Sequence, residues 1–358
     1  MDSLSSVSTS NSAPGDLRRV AEALQQRPFV PHRRWRGGHA QTVLASLWPR
    51  RARPRPEVPD EGRIIEVETG VRVRVDCRWQ LGPRGASPAL LLVHGLEGSS
   101  ESAYILSTAH KAWRAGFHVL RFNIRTCGGT ERLTPTLYHS GMSGDLLQVI
   151  EHFTAHDGLT NVFLGGFSLG GNMALKLAGE GGDGLPPELK AVCAVSPSLD
   201  LAACAAAIER RDNWLYQSRF LTSVRRRLRH AHALYPERYD PRHLRRVRSI
   251  RDFDAHYTAP AGGFRDADDY YARASALPLA SRIRRPTLII HAQDDPFIPY
   301  ASFLDAALNA NPCIVLLAPA HGGHVGFVAD CPVGDDPDRF WGENRMIQFF
   351  QLIHHQHE

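Results

Sequence analysis

The sequence predicts an α/β fold, a mostly parallel central sheet with helices on both faces and an inserted helical cap. Short, wholly apolar strand patterns such as residues 89–93 alternate with helical patterns, which is typical of a parallel sheet buried on both faces. This alternation stops after Ser196 and resumes at Thr287, so a segment interrupts the sheet. The intervening residues have helical patterns and are rich in Arg. With 358 residues, 43% hydrophobic and 22% charged, the composition excludes a disordered, collagen-like or heptad-repeat chain.

The first 63 residues are predicted to form a tail and an arm. Residues 1–16 are polar and Ser-rich without a basic or an apolar region, which predicts a disordered tail and no secretory signal. A short helix is expected at 17–26, and the motif GHAQT follows at 38–42. Residues 63–79 then alternate apolar and polar side chains, which predicts an antiparallel hairpin at the edge of the sheet.

The parallel sheet is predicted to begin at residue 89. The predicted strands are 89–93, 117–122, 161–165, 191–195, 287–291 and 313–318, and the predicted helices between them are 103–115, 144–155 and 169–178. We therefore divide the chain into an arm at 1–63, a core at 64–195 and 286–358, and a helical cap insertion at 196–285.

Two features bear on the compartment. No apolar stretch approaches the roughly 18 to 20 residues that a membrane-spanning helix needs. The six cysteines are scattered without CxxC spacing, which favours reduced thiols over a disulfide scaffold. The expected location is cytoplasmic.

A candidate nucleophile follows the strand predicted at 161–165. Gly166-Phe167-Ser168-Leu169-Gly170 matches GxSxG, which is a weak signal alone, but here it stands directly between a strand and an amphipathic helix. A tight strand-to-helix turn exposes the serine hydroxyl above the sheet, and the small residues two before and two after Ser168 avoid clashes with its neighbours. The alternative is a Gly-rich turn without a catalytic role.

A serine hydroxyl needs a positioned base, and that base needs an acid. Asp294 and Asp295 follow the strand predicted at 287–291, and His321 and His324 follow the next strand, which gives the order Ser, Asp, His. Adjacent side chains near a strand end point in opposite directions, so one of the two Asp residues is expected to face the base. We prefer His324, which follows two glycines, over His321.

Two backbone amides are candidates for an oxyanion hole. The amide of Leu169 would lie at the N-terminus of the helix after Ser168. The His94-Gly95 turn at the end of an earlier strand would supply the second amide from Leu96.

These residues resemble those of α/β-hydrolases, and more narrowly those of the YheT-like branch, which includes bacterial hydrolases and eukaryotic α/β-hydrolase-domain lipases. The resemblance runs from about Pro31 to Phe350. Its marks are GHAQT at 38–42, HGLEGSSES at 94–102, RTCGGT at 125–130, YHSG at 138–141 followed by Asp145, GFSLGGN at 166–172, DDPF at 294–297 and GGHVGF at 322–327.

The resemblance implies cleavage of carboxylic esters, of the carboxylesterase or acylglycerol lipase type, without a metal or organic cofactor. It implies Ser168 as nucleophile, His324 as base, and Asp294 or Asp295 as acid. The Pro-Phe-Ile-Pro run after Asp295 resembles the usual turn after the acid, so Asp295 is preferred and Asp294 is the alternative. The alternative functions are acyl transfer to an alcohol, a phospholipase, and a non-catalytic scaffold.

The cap insertion at 196–285 is strongly basic. It holds 18 Arg, no Lys and ten acidic residues, a net charge of +8 by count within a chain of net charge +5. This asymmetry suggests contact with an anionic membrane surface or head group, and the alternative is a solvated helix face. No nucleic-acid-binding motif accompanies the charge, so a small-molecule or lipid ester is the expected partner. Cys313, His321, His324 and Cys331 match no common zinc spacing, and no metal site is predicted.

Overall fold

A computed structural model describes residues 6–9, 15–50 and 60–356. Within these residues nine strands form one sheet in the order β1-β9-β8-β7-β6-β4-β5-β3-β2. The strands are β1 Ser6–Thr9, β2 Glu61–Glu68, β3 Val71–Arg78, β4 Ala89–Val93, β5 His118–Asn123, β6 Val162–Phe167, β7 Leu189–Val195, β8 Thr287–Ile290 and β9 Ile314–Ala318. Strands β4 to β9 run parallel to one another, and β1, β2 and β3 pair antiparallel with their neighbours. The predicted sheet and its edge hairpin are confirmed.

Helices connect the parallel strands and build the insertion. They are α1 Gly15–Gln25, α2 Gly38–Leu47, α3 Ala103–Arg114, α4 Ser143–Asp157, α5 Leu169–Gly181, α6 Leu201–Ile208, α7 Trp214–Leu234, α8 Ile250–Phe253, α9 Ala259–Ala261, α10 Ala267–Ala274, α11 Ala306–Ala310 and α12 Trp341–His354. A π-helical turn at Asp254–Thr258 joins α8 to α9. Every strand and helix given bounds in the sequence prediction lies within three residues of its observed position.

Strand β4 shows why the sheet needs helices on both sides. All five of its residues are buried. Leu90 and Leu92 pack in one apolar cluster with residues of α1, α3 and α12, while Leu91 and Val93 pack in a second cluster with residues of α4 and α5. Because successive side chains of a strand point to opposite faces, a wholly apolar strand is stable only between two helical layers.

The segment between β7 and β8 carries helices α6 to α10 and small apolar cores of its own. On α7, Leu221, Val224 and Leu228 are buried at helical spacing in a cluster that includes Leu137 of the loop after β5. The insertion therefore packs against the loops that follow the strands, on the side where the candidate residues lie.

At the ends of the chain, one prediction is wrong and one helix was not predicted. The prediction of a disordered tail is wrong for Ser6–Thr9, which pairs antiparallel with β9 as an edge strand. Without β1, one side of β9 would present unpaired backbone groups. Helix α12, which the sequence analysis did not identify, covers one face of the sheet. Residues 1–5, 10–14 and 51–59 of the predicted tail and arm lie outside the described residues.

All six cysteines are free thiols, and four of them are buried. In the described part of the chain, no helix has both the length and the apolar character needed to cross a membrane.

Candidate active site

Ser168 lies at the sharp turn between β6 and α5. Its backbone has φ of +53°, a conformation that costs a non-glycine residue free energy and is found mostly at functional sites. The amide of Ser168 donates to the Val195 carbonyl at 2.9 Å, and the Ser168 carbonyl accepts from the Asn172 amide at 3.0 Å. The strained turn is therefore held by backbone hydrogen bonds on both sides.

The two glycines of the GxSxG pattern are required by close backbone packing. A Cβ at Gly166 would lie 2.3 Å from the carbonyl oxygen of Gly170. A Cβ at Gly170 would lie 2.4 Å from the carbonyl oxygen of His94. Both distances are shorter than any real carbon contact, so a side chain at either position would displace Ser168 or the loop after β4.

His324 connects Ser168 to Asp295. Its Nε2 lies 3.0 Å from the Ser168 Oγ, and its Nδ1 lies 2.9 Å from the Asp295 Oδ2. Phe297 packs edge-on against the His324 ring at a centroid distance of 4.8 Å. The three residues follow β6, β8 and β9, so the ends of three parallel strands bring them together.

Asp295 is a buried carboxylate with every oxygen engaged. Its Oδ1 accepts from the amides of Phe297 and Ile298, at 2.8 and 3.1 Å. Burial alone would raise the pKa of Asp295, but interactions with His324, followed by those with His291 and the Phe297 amide, together lower that pKa. Asp295 is thus held ionised at neutral pH and oriented toward the imidazole.

Asp294, the alternative acid, faces another histidine. Its Oδ2 lies 3.1 Å from the His321 Nδ1, and its Oδ1 accepts from the Gly323 amide at 2.9 Å. Burial raises the pKa of this carboxyl. Asp294 therefore anchors the loop that carries His324 without contacting the His324 ring.

The GHAQT motif of the arm forms the start of α2 and holds the same loop. The Thr42 Oγ1 accepts from the His324 amide at 2.9 Å. Gln41 is fully buried; its Oε1 accepts from the Val328 amide at 2.8 Å, and its Nε2 donates to the Val328 carbonyl at 3.2 Å. A Cβ at Gly323 would lie 2.3 Å from the Gly38 carbonyl oxygen. The motif was noted in the sequence, but its contact with the histidine loop was not predicted.

The turn after β4 fixes the direction of the Leu96 amide. The His94 Nε2 accepts from the Ile124 amide at 3.2 Å, so its Nδ1 carries the proton and donates to the Gly95 carbonyl at 2.8 Å. Burial lowers the pKa of His94 to about 4, which keeps the ring neutral. Since a trans peptide is planar, the Leu96 N–H points opposite to the Gly95 carbonyl.

Both candidate oxyanion donors lie beside Ser168. A Cβ at Gly95 would be 3.1 Å from the Ser168 Cβ, so the Gly95-Leu96 peptide lies against the nucleophile. Leu169 begins α5, where a helix has amides without an intrahelical acceptor. Leu96, Leu169, Ser168 and His324 line one cavity.

A residue pair that the sequence analysis did not identify links this turn to the insertion. Glu97, with φ of +58°, accepts at Oε1 from the Arg227 Nη2 at 2.7 Å. The Glu97 amide donates to the Tyr138 hydroxyl at 3.1 Å, and the Arg227 guanidinium lies 4.2 Å from the centre of the Tyr138 ring. Arg227 also donates to the Thr126 Oγ1 at 3.1 Å. Only the fold brings positions 97 and 227 together.

Arg227 also approaches the Cys127 thiol, at 3.5 Å. Burial nevertheless raises the pKa of Cys127 to about 11, so the thiol is protonated at neutral pH and is a poor second nucleophile. In residues 6–9, 15–50 and 60–356, no three His, Cys, Asp or Glu side chains are grouped to hold a metal ion.

A cavity of about 960 Å³, including its open mouth, lies over Ser168. Most of its wall is apolar, from Leu201, Ile208, Phe220, Val224, Phe253 and Phe297. Asp254 of the π-helical turn also lines it and accepts from the Tyr271 hydroxyl at 2.8 Å. Burial raises the pKa of Asp254 to about 6. The cavity thus offers an apolar volume with the Asp254 carboxyl buried in its wall.

Comparison with known proteins agrees with this architecture. The model of the alpha/beta hydrolase fold family matches residues 88–330. The putative esterase YheT of Escherichia coli is 33% identical over 309 residues, 84% of this chain and 87% of that protein. Phospholipase ABHD3 of Homo sapiens is 29% identical over 333 residues, 90% of this chain and 78% of that protein. The Pyrococcus furiosus esterase Pf2001 has the same fold, with a TM-score of 0.50 and 14% identity over 78% of this chain and 91% of that chain.

The chain therefore belongs to the α/β-hydrolase family. Within that family it falls in the YheT-like branch, which confirms the resemblance carried by the sequence motifs.

Proposed function

We propose that this protein is a serine hydrolase that cleaves carboxylic esters through an acyl-enzyme on Ser168. The observation that carries the proposal is the hydrogen-bonded series Ser168, His324 and Asp295 at the wall of an apolar cavity. A serine becomes a strong nucleophile when a histidine takes its proton and a carboxylate orients that histidine.

In the first half-reaction, the Ser168 Oγ forms a bond to the acyl carbon while the His324 Nε2 takes the hydroxyl proton. The electron pair of the carbonyl moves to its oxygen, which accepts from the amides of Leu96 and Leu169. Asp295 stabilises the imidazolium that forms and keeps Nδ1 protonated. The intermediate collapses, the ester C–O bond breaks, and the leaving alcohol takes the proton from Nε2.

In the second half-reaction, water replaces the alcohol. The water oxygen attacks the acyl carbon while the His324 Nε2 takes a proton from the water. The amides of Leu96 and Leu169 again bind the oxyanion. When this second intermediate collapses, the bond between the acyl carbon and the Ser168 Oγ breaks, the His324 Nε2 returns its proton to that oxygen, and the carboxylic acid leaves. An alcohol in place of water would give transfer in place of hydrolysis, because the two reactions share the acyl-enzyme.

The apolar cavity supports esters with a hydrocarbon acyl chain as the substrate class. Its wall offers aliphatic and aromatic side chains, and burying each methylene of a chain there contributes about 0.8 kcal/mol. The names of two relatives, a putative esterase and a phospholipase, are consistent with an ester substrate.

The direct test is labelling with a fluorophosphonate probe together with hydrolysis of p-nitrophenyl acyl esters. Wild type is expected to label and turn over, and Ser168→Ala to do neither. Ser198→Ala is the matched control, since Ser198 lines the same cavity but its hydroxyl has no hydrogen-bond partner among the described residues. Labelling that persists in Ser168→Ala and disappears in Ser198→Ala would contradict the assignment.

A second experiment defines the substrate. A p-nitrophenyl series of increasing chain length, compared with a monoacylglycerol and a phospholipid, measures which head groups the cavity accepts. Adding ethanol and analysing the products separates hydrolysis from acyl transfer, because transfer yields the ethyl ester.

A further inference from the structure

Two exposed apolar side chains stand next to the cavity at the start of α7. Trp214 and Leu215 are each 61% exposed. The next residue, Tyr216, packs against Phe297 at a centroid distance of 4.6 Å, and Phe297 in turn contacts the His324 ring. Trp214 and Leu215 therefore lie close to the proposed catalytic histidine, yet no described residue covers most of their surface.

Helix α2 brings further apolar surface to the same place. The His39 ring stacks on Tyr216 at 5.7 Å. Val43 and Leu47 follow His39 at intervals of four residues, so they share its face of α2, and they are 45% and 75% exposed. We call Val43, Leu47, Trp214 and Leu215 the apolar rim.

The exposed face of α7 continues from the apolar rim as a row of arginines. Arg219, Arg226 and Arg229 are exposed, and within the described residues none of them forms an ion pair. Some arginines elsewhere in the insertion differ in this respect: Arg210 and Arg251, for example, each pair with a carboxylate. On the exposed face of α7, these three arginines thus carry positive charge without a paired carboxylate among the described residues.

We propose that the apolar rim and the α7 arginines dock the protein on an anionic lipid surface, so that ester substrates enter the cavity from a lipid aggregate. This inference rests on the proposed function. Trp and Leu at the tip of a helix, followed by arginines on its exposed face, match the chemistry of the lipid headgroup boundary. A protein partner could also cover an apolar patch, but the uncompensated arginines favour an extended anionic surface.

The test is co-sedimentation with vesicles of phosphatidylcholine, with and without phosphatidylglycerol. Each arginine near an anionic surface strengthens partitioning about fivefold. The variant Arg219→Gln/Arg226→Gln is therefore expected to bind anionic vesicles roughly 25-fold more weakly, with no change on phosphatidylcholine alone. The charge-matched control, Arg72→Gln/Arg114→Gln, changes two exposed arginines outside α7 and is expected to bind as wild type.

The apolar rim is tested by Trp214→Ser/Leu215→Ser, which is expected to weaken binding to both vesicle types. Leu81→Ser is the control, because Leu81 is exposed on a loop outside the rim. The proposal is overturned if the rim variant binds vesicles as strongly as wild type, or if a control variant loses as much binding as its test variant. It is also overturned if wild type does not sediment with anionic vesicles.

Hydrolysis of a short, water-soluble p-nitrophenyl ester is measured in parallel on every variant. If only the docking proposal is wrong, wild type still cleaves this ester, but the test variants bind vesicles no more weakly than their controls. If the proposed function is wrong, wild type fails to cleave the soluble ester, whatever the vesicle result.

Discussion

Replacing Arg227 with Met tests how the insertion and the candidate oxyanion turn depend on each other. Met keeps much of the volume of the Arg side chain but removes the charge that pairs with Glu97 at 2.7 Å. The two side chains are 11% and 14% exposed, so water would compensate the remaining Glu97 carboxylate only in part.

The expected cost follows from this burial. Removing one partner of a buried ion pair costs about 3–5 kcal/mol because it leaves an uncompensated charge. Since Glu97 retains some exposure, we expect the lower end, about 3 kcal/mol in the free energy of unfolding. Glu97→Gln/Arg227→Met removes both charges and is expected to recover roughly 2 kcal/mol of that loss.

Activity is expected to fall as well. Glu97 directly follows Leu96, and its positive φ is stabilised by Arg227 and by the Tyr138 hydroxyl. Releasing Glu97 would loosen the Leu96 amide, while the His94 bond to the Gly95 carbonyl remains. Complete loss of one oxyanion donor costs about 10²–10³ in kcat, and we expect a smaller decrease here. Because the donor acts in the transition state, KM is expected to change little.

Urea unfolding and steady-state kinetics measure both effects. Arg219→Met is the control, since Arg219 is exposed on the same helix without an ion pair among the described residues. If Arg227→Met has the same midpoint of urea unfolding and the same kcat as wild type, the reasoning is refuted. A double variant whose destabilisation equals the sum of the two single variants would refute the coupling.

Three further predictions concern other buried polar groups. Asp295→Asn is expected to lower kcat about 10⁴-fold because it favours the wrong His324 tautomer. Asp294→Asn is expected to lower kcat by less than about tenfold. Equal losses of kcat in the two variants, measured by steady-state kinetics, would contradict this prediction. The folded pKa of Asp254 is about 6, above its ordinary 3.8, so its contribution to stability is full below pH 3.8 and is lost as pH rises through 6. As pH rises from below 3.8 to above 6, the free energy of unfolding of Asp254→Asn should therefore increase by up to about 3 kcal/mol relative to that of wild type. A difference between the two proteins that stays constant with pH in urea unfolding would contradict this. Gln41→Ala should lower the free energy of unfolding, measured by thermal unfolding, by about 2–4 kcal/mol because the buried partners of Gln41 lose hydrogen bonds. The control Gln148→Ala, at an exposed position, should change this free energy by less than about 0.5 kcal/mol.

The sheet and the serine turn could be predicted because their signals are local. A wholly apolar strand such as β4 and the Gly-x-Ser-x-Gly turn each fit within about five residues, where backbone sterics and side-chain burial act directly. Because β6, β8 and β9 are parallel, Ser168, the acid and the histidine also come to the carboxyl ends of strands on the same side of the sheet.

The choice between Asp294 and Asp295 needed more than this local pattern. Adjacent carboxylates after a strand point apart, but which of them faces His324 depends on the path of the following loop. In the structure, the amides of Phe297 and Ile298 hold the Asp295 carboxylate, while Gly323 and His321 contact Asp294. The Asp294 contacts, and the contact of Asp295 with His324, require the loops after β8 and β9 to fold together, whereas the amides that hold Asp295 lie in its own loop.

Other features depend on contacts between residues far apart in the chain. Gln41 is buried because it bonds to Val328, which lies 287 positions away. Edge strand β1 forms only because β9 offers a free edge. Neither contact leaves a periodic pattern in the sequence, so neither the strand pairing of the tail nor the partner of Gln41 was predicted.

Charge shows the same dependence on the fold. The count of +8 in the insertion treats every arginine alike, whereas their environments differ. Arg227 is buried against Glu97, so its charge holds a turn of the core and is not available to a surface. Arg210 and Arg251 are neutralised by carboxylates in the insertion itself, while Arg219 and Arg226 have no such partner among the described residues. An anionic surface would therefore respond to the position of the α7 arginines beside Trp214, and the total charge alone would overstate the attraction.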